Sequence, residues 1–207
     1  MKNQLSYQTT EYDCGPTTLT NAIRYLFDRE EILPEVIKTI SLYTLDVYDN
    51  NGEYGKSGTS RMAMMFLSNW FNHFGTIKKF PIHTEILTDD FVWIGQNNKI
   101  VECLQQGGVV ILCVWLGEVK HYILLTGIEE DYICIFDPYD WMEPVDGKSI
   151  ILVENQPKKM NRKVKIDVIN DEGNGFYALG LKEGREAMLL YNTNTRVTPE
   201  ASIEYFI

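Results

Sequence analysis

Apolar residues recur at helical spacing in the first half of the chain and gather into short, nearly continuous runs in the second half. Leu19, Ala22, Ile23 and Leu26 lie three or four positions apart, which puts them on one side of a helix. That helix is expected to open near Asp13 to Pro16, because Asp13 can cap orphan amides and proline is tolerated in a first turn. A second short helix is predicted over Glu35 to Leu42. Asp49 to Gly58, with its Asn, Gly and Asp content, reads as a loop. Thr59 or Ser60 then caps a third helix reaching about His73, with Met62, Met65, Phe66 and Trp70 as its core face. A fourth, Lys99 to Gln106, is closed by Gly107 and Gly108.

Beyond Gly108 the period changes. Val109 to Leu116, His121 to Ile128 and Tyr132 to Phe136 read as three strands, almost apolar on both faces, as central strands are. Further strands are predicted at Ser149 to Glu154, Val164 to Ile169, Phe176 to Leu181 and Ala187 to Tyr191. Helices first and an antiparallel sheet second define an α+β order.

Composition changes this picture little and excludes some functions. The 207 residues are 44% hydrophobic and 23% charged, enough apolar material for a packed core. A net charge of -10 argues against nucleic-acid binding, which needs a basic face. The cluster Lys158, Lys159, Arg162, Lys163 and Lys165 reads as a solvated turn and strand face. Met1 to Asp13 is polar, and the longest apolar run, Val109 to Leu116, is too short to span a bilayer, so a cytoplasmic protein is expected.

The four cysteines, at 14, 103, 113 and 134, have neither zinc-knuckle spacing nor the density of a disulfide framework. Cys103, Cys113 and Cys134 sit in apolar runs and read as buried thiols. Cys14 instead stands at a helix start, where the dipole and free amides favour a thiolate. Alone, such a cysteine is equally well a buried structural thiol. Gly15 would permit close approach of a substrate backbone, and Gln8, six residues before Cys14, could return its amide toward a developing oxyanion. Of the three histidines, His73 ends a predicted helix and His83 lies in a predicted solvated loop. His121 begins a buried strand, a costly place for an ionisable group without a partner. If Glu129-Glu130-Asp131 forms a three-residue turn, His121 and Asp137 share a face as diagonal neighbours, roughly 7–8 Å apart at the backbone. A two-residue loop would reverse that facing. Asp137 would then orient the imidazole and stabilise its cation. Asp13 reads as a helix cap, Glu11 as solvated, and Trp115, Tyr139 and Trp141 as core, with Trp141 near enough to Asp137 to line a cleft.

Gln8 followed by Asp13-Cys14-Gly15-Pro16, then His121-Tyr122, then Asp137-Pro138 sixteen residues after the histidine, resembles the bacteriocin-processing, double-glycine-leader cysteine peptidases of the papain-like clan. Gly58-Thr59-Ser60 is similar to the same family less specifically. The resemblance spans about Tyr7 to Tyr139. It implies a papain-like peptidase domain over residues 1–144; residues 145–207 lie outside the resemblance and are expected to form a β-rich extension packed on the same domain, which could alter or cover the cleft. It also implies Cys14 as nucleophile, His121 as general base and then acid, Asp137 as orienter and Gln8 as oxyanion donor, with no metal or organic cofactor. The expected partner is a peptide or protein substrate, possibly one cut after a Gly-Gly leader, with no nucleic acid and no membrane segment. The exporter domains that commonly follow such peptidases are missing from this sequence. The same Cys-His-Asp site could serve an acyltransferase or transamidase, and a non-catalytic leader-binding module is a third reading. The oligomeric state is not legible.

Overall fold

The fold is a seven-stranded antiparallel sheet between two layers, seen in a computed structural model whose described residues are 1–140 and 147–198. The helices are α1 (Cys14–Leu26), α2 (Pro34–Tyr43), α3 (Arg61–Lys78), α4 (Lys99–Gln105) and the single turn α5 (Ile166–Ile169). The strands are β1 (Ile82–Thr88), β2 (Val109–Leu116), β3 (Val119–Glu129), β4 (Tyr132–Phe136), β5 (Ile150–Leu152), β6 (Arg162–Lys165) and β7 (Glu186–Asn192). They run β1-β7-β2-β3-β4-β6-β5 across the sheet. The expected α+β class is therefore present, and three of the seven strands come from residues beyond 145. The 144/145 boundary itself and Trp141 lie outside the described residues.

The apolar runs on both faces of the central strands follow from the two layers. Val109, Ile111 and Cys113 of β2 join Leu19, Ile23, Leu67 and Phe71 in a core beneath α1 and α3. The alternate residues Val110, Leu112 and Val114 join Ile100, Ile123, Ile135 and Leu189 in a second core on the opposite face. A strand covered on both sides has no solvent face to carry polar residues.

Several expectations are corrected. Met62, Met65 and Phe66 are 71%, 37% and 44% exposed, while Met64, Leu67, Phe71 and Phe74 make the core face of α3. The helix is apolar around most of its circumference, so its periodicity leaves the rotation open; of the two expected caps it is Ser60 whose side chain accepts from the Ala63 amide, at 3.1 Å. It also continues to Lys78, so His73 is an exposed mid-helix residue. His83 is exposed as expected but lies on β1, not in a loop. That strand was hidden because Thr84 turns inward, where its hydroxyl donates to the Ser68 carbonyl at 2.8 Å and breaks the apolar alternation. Asn72 bonds both the amide and the carbonyl of Thr84, covering part of this edge. The expected strand at Val164 to Ile169 starts earlier, at Arg162, and ends in the turn α5. Phe176 to Leu181 is irregular rather than a strand, with Tyr177 and Gly180 at positive φ. Within the basic cluster Lys159 and Lys163 pair with Glu129, and Arg162 is buried.

Candidate active site

The site is assembled where the start of α1 meets the β3–β4 hairpin. Helix α1 begins at Cys14, whose amide belongs to the first turn and has no intrahelical acceptor. Asp13 precedes it but does not cap it through its side chain. Its carboxylate instead accepts from the Thr9 and Thr10 amides at 3.0 and 2.7 Å. Burial opposes its charge, yet these bonds hold its pKa below the ordinary value. The interaction folds the incoming chain back on the helix start. Upstream, Ser6 and Asn21 exchange two 2.8 Å bonds, pinning this segment along α1. One turn into the helix, Thr18 donates to the Tyr122 carbonyl at 3.0 Å, which docks the Cys14 end beside His121.

Gly15 has a different task from the one expected. A Cβ there would lie 2.5 Å from Thr59 Oγ1 and 2.8 Å from Thr59 Cβ. The glycine lets α1 approach the Gly58-Thr59-Ser60 segment; it is buried against protein, not open to a substrate backbone.

His121 and Asp137 are brought together by a route the sequence did not suggest. The hairpin closes with Glu129 opposite Tyr132, a two-residue loop of Glu130 and Asp131. This register alone would put the two side chains on opposite faces. Between Leu125 and Gly127 the register shifts by one, so Leu125 faces Ile135 and Leu124 faces Phe136. The bulge at Thr126 restores the facing that a three-residue turn would have produced. His121 Nε2 and Asp137 Oδ1 are 2.7 Å apart, and both residues are buried.

The Asp137 carboxylate also accepts from the Tyr139 amide at 2.8 Å and from the Tyr177 hydroxyl at 2.6 Å. Asn161 clamps its backbone, accepting from the Asp137 amide and donating to its carbonyl, each at 2.8 Å. Burial works against the Asp137 charge, but the His121 hydrogen bond and charge, the Tyr177 hydroxyl and Arg162 hold its pKa below the usual carboxylate value. Burial likewise works against a His121 cation and is outweighed by the bond to Asp137 and by the nearby Cys14 sulfur, raising His121 from 6.5 to about 9. With Nε2 committed to Asp137, Nδ1 is the ring nitrogen left for Cys14. The Tyr139 ring stands edge-on to His121 at 6.3 Å and is 40% exposed, a cover rather than a core residue.

Gln8 reaches the site by its backbone, donating to the Pro138 carbonyl at 2.8 Å, directly after Asp137. Its side-chain Nε2 donates to the Thr10 carbonyl at 2.7 Å, and its Oε1 is buried without a hydrogen-bond partner. The structure thus brings Gln8 to the region but holds its amide on Thr10.

A cleft of about 340 Å³ opens at Cys14, bounded by Gly58 and Thr59 on the α3 side and reaching Cys113, Tyr122 and Glu186. Tyr122 donates its hydroxyl to Glu186, whose other oxygen accepts from Arg61 Nε at 3.2 Å. This buried polar group was missed; its members are 61, 122 and 186 residues along the chain, and no local spacing relates them. Burial raises the Cys113 thiol, and it pushes Cys103 up to about 12 and Cys134 to about 11. All four cysteines are free thiols. Among the described residues no three His, Cys, Asp or Glu side chains gather as metal ligands, and no helix is long and apolar enough to cross a membrane.

Comparison with solved structures returns peptidase domains. The chain is similar to the peptidase domain of Streptococcus mutans ComA at 13% identity and a TM-score of 0.41, with 91% of this chain and 98% of that one covered. A Streptococcus ComA peptidase domain, from a bifunctional ABC transporter involved in quorum sensing, aligns at 13% identity and a TM-score of 0.44, covering 91% and 97%. A double-glycine-motif protease from an AMS/PCAT transporter, solved with the leader peptide, aligns at 10% identity and a TM-score of 0.39, covering 92% and 94%. No protein-family model matches the chain, and no curated protein matches it significantly.

Proposed function

We propose that this protein is a cysteine peptidase acting through a thioester acyl-enzyme. The observation that carries the proposal is the buried pair in which His121 bonds Asp137 through Nε2 at 2.7 Å, next to Cys14 at the start of α1. Cys14 Sγ attacks the substrate carbonyl as a thiolate, and the proton held on His121 passes to the leaving amine. His121 then takes a proton from the attacking water; the tetrahedral adduct expels Cys14 as a thiolate beside the His121 cation and releases the acid. Asp137 keeps the imidazole in the tautomer and orientation this shuttle needs. The Cys14 amide supplies one oxyanion donor; Gln8 supplies a second once its Nε2 leaves Thr10. The chemistry requires no metal or organic cofactor. Four cysteines held as free thiols suit a reducing compartment, and the cytoplasm is the proposed location.

Cleavage after a Gly-Gly pair is the narrower form of the proposal and rests on the motif Gln8, Asp13 to Pro16, His121-Tyr122 and Asp137-Pro138. The test is mass-spectrometric profiling of peptide libraries with the wild type and Cys14→Ala. New termini that require Cys14 support the peptidase reading, and their flanking residues report the specificity. Identical digests would refute it. Products carrying an added amine in place of water would assign the same site to acyl transfer.

A further inference from the structure

We infer that Tyr177 is a positioning residue of the catalytic site, holding the Asp137 carboxylate aimed at His121 through its hydroxyl. The inference rests on the peptidase reading and extends the site into the region after residue 145. Tyr177 is the largest fully buried side chain of the described residues, and its hydroxyl lies 2.6 Å from Asp137 Oδ2. The other oxygen, Oδ1, faces His121. The carboxylate is therefore held from both ends, with the imidazole on one and the phenol on the other. A phenol that donates to the ionised carboxyl favours that form over the protonated one.

The backbone supports a purpose beyond filling space. Tyr177 sits at φ 68°, a left-handed conformation that a bulky residue adopts only at an energetic cost. The surroundings enforce it: the Tyr177 amide donates to the Trp115 carbonyl and the Trp115 amide to the Ala178 carbonyl, both at 2.8 Å. Leu179 is tied to Ile169 at 2.9 Å. Trp115 stands opposite Lys120, next to the pair of Val114 and His121, so the anchor lies beside the catalytic histidine's own strand position. The ring is thus delivered to Asp137 from the sheet that carries His121.

The experiment is the titration of His121 from pH 5 to 10, read by two-dimensional NMR of its imidazole carbons. In Tyr177→Phe the carboxylate is no longer held on the imidazole, and His121 is expected to titrate about one pH unit below its wild-type value of about 9. 3-Fluorotyrosine at position 177 keeps the donor, and its fluorine signal is expected to follow the His121 titration; it serves if the Phe variant fails to fold. A role in packing alone would shift thermal midpoints only, so a Phe variant that titrates with wild type, or a fluorine signal flat across the His121 titration, would overturn the inference. The peptidase reading fails separately, if iodoacetamide shows no preference for Cys14 over the other three cysteines.

Discussion

Asp137→Asn is the most direct perturbation of the relay, since it keeps the side chain's shape and removes its charge. In the wild type the imidazolium of His121 persists to about pH 9 against an ordinary 6.5, although burial alone would lower it. That difference corresponds to roughly 3 kcal/mol in favour of the cation at 1.36 kcal/mol per pH unit. The variant retains the burial and loses the carboxylate, the main support of the cation. His121 is then expected to titrate at or below 6.5, which at neutral pH changes the imidazolium equilibrium on the order of 100-fold. Two-dimensional NMR of the imidazole carbons checks this, because the chain has only three histidines and His73 and His83 are exposed and available as internal controls.

The linkage to stability has a defined sign. A His121 value raised in the folded state contributes stability that is full below pH 6.5 and lost as pH rises through about 9. A lowered Asp137 contributes stability present above its unfolded value of 3.8 and lost as pH falls through the lower folded value. Urea midpoints of wild type and Asp137→Asn should therefore differ most between about pH 4 and 6.5, and the difference should shrink above pH 9 to the part owed to Asp137 itself. A His121 titration within half a pH unit of wild type in the variant would refute the coupling and, with it, the role given to Asp137.

At pH 7, iodoacetamide should modify Cys14 and spare Cys103, Cys113 and Cys134, whose thiols burial holds protonated, as peptide mass mapping would show. Gly15→Ala should destabilise the fold by about 1–3 kcal/mol in urea, because the added methyl meets a short β-branched side chain and overpacking outweighs the helix-propensity gain. Glu186→Gln should cost about 1–2 kcal/mol by leaving one neutral acceptor oxygen where Arg61 and Tyr122 each had a carboxylate oxygen; a midpoint equal to wild type would show that the group is not structurally coupled. Gln8→Ala should lower turnover of a peptide substrate by about 10²–10³ with KM little changed if Gln8 donates to the oxyanion, and leave turnover unchanged if its bond to Thr10 is its whole function.

The elements were legible where local physics dominates. The runs at Val109 to Leu116 and Tyr132 to Phe136 end where β2 and β4 end, because a strand buried on both faces has no reason to interrupt its apolar pattern. The phase of α3 was not legible, since a helix apolar on most sides does not state which side is covered. Nor was β1, whose inward Thr84 is polar and satisfied by α3. The shared face of His121 and Asp137 was anticipated from the hairpin, and their grouping with Cys14 from the resemblance of the motif, not from any one position. Tyr177 and Asn161 break no local rule: the tyrosine falls in a run expected as a strand and the asparagine in a basic run expected as solvated, and only the folded chain puts them on Asp137.

The β3–β4 hairpin shows how a sound conclusion can rest on the wrong intermediate. A three-residue turn would have sufficed to put His121 and Asp137 on one face, but Glu130 sits at φ 58° in a tight two-residue turn instead. The compensating bulge at Thr126 is not a neutral substitute for the longer turn. It lies between the turn and the site, so the turn's register no longer dictates the facing of His121, and it increases the local twist of β3. Thr126 is buried there with its hydroxyl on the Cys134 carbonyl, and its own carbonyl accepts from the Tyr25 hydroxyl of α1 at 3.2 Å. The helix that carries Cys14 is thus bonded to β3 at two places, at Tyr122 through Thr18 and at the bulge through Tyr25. Cys14 and His121 are held in one frame by those two bonds, and the irregularity that aligns His121 with Asp137 is also one of the points that fixes α1 against the sheet.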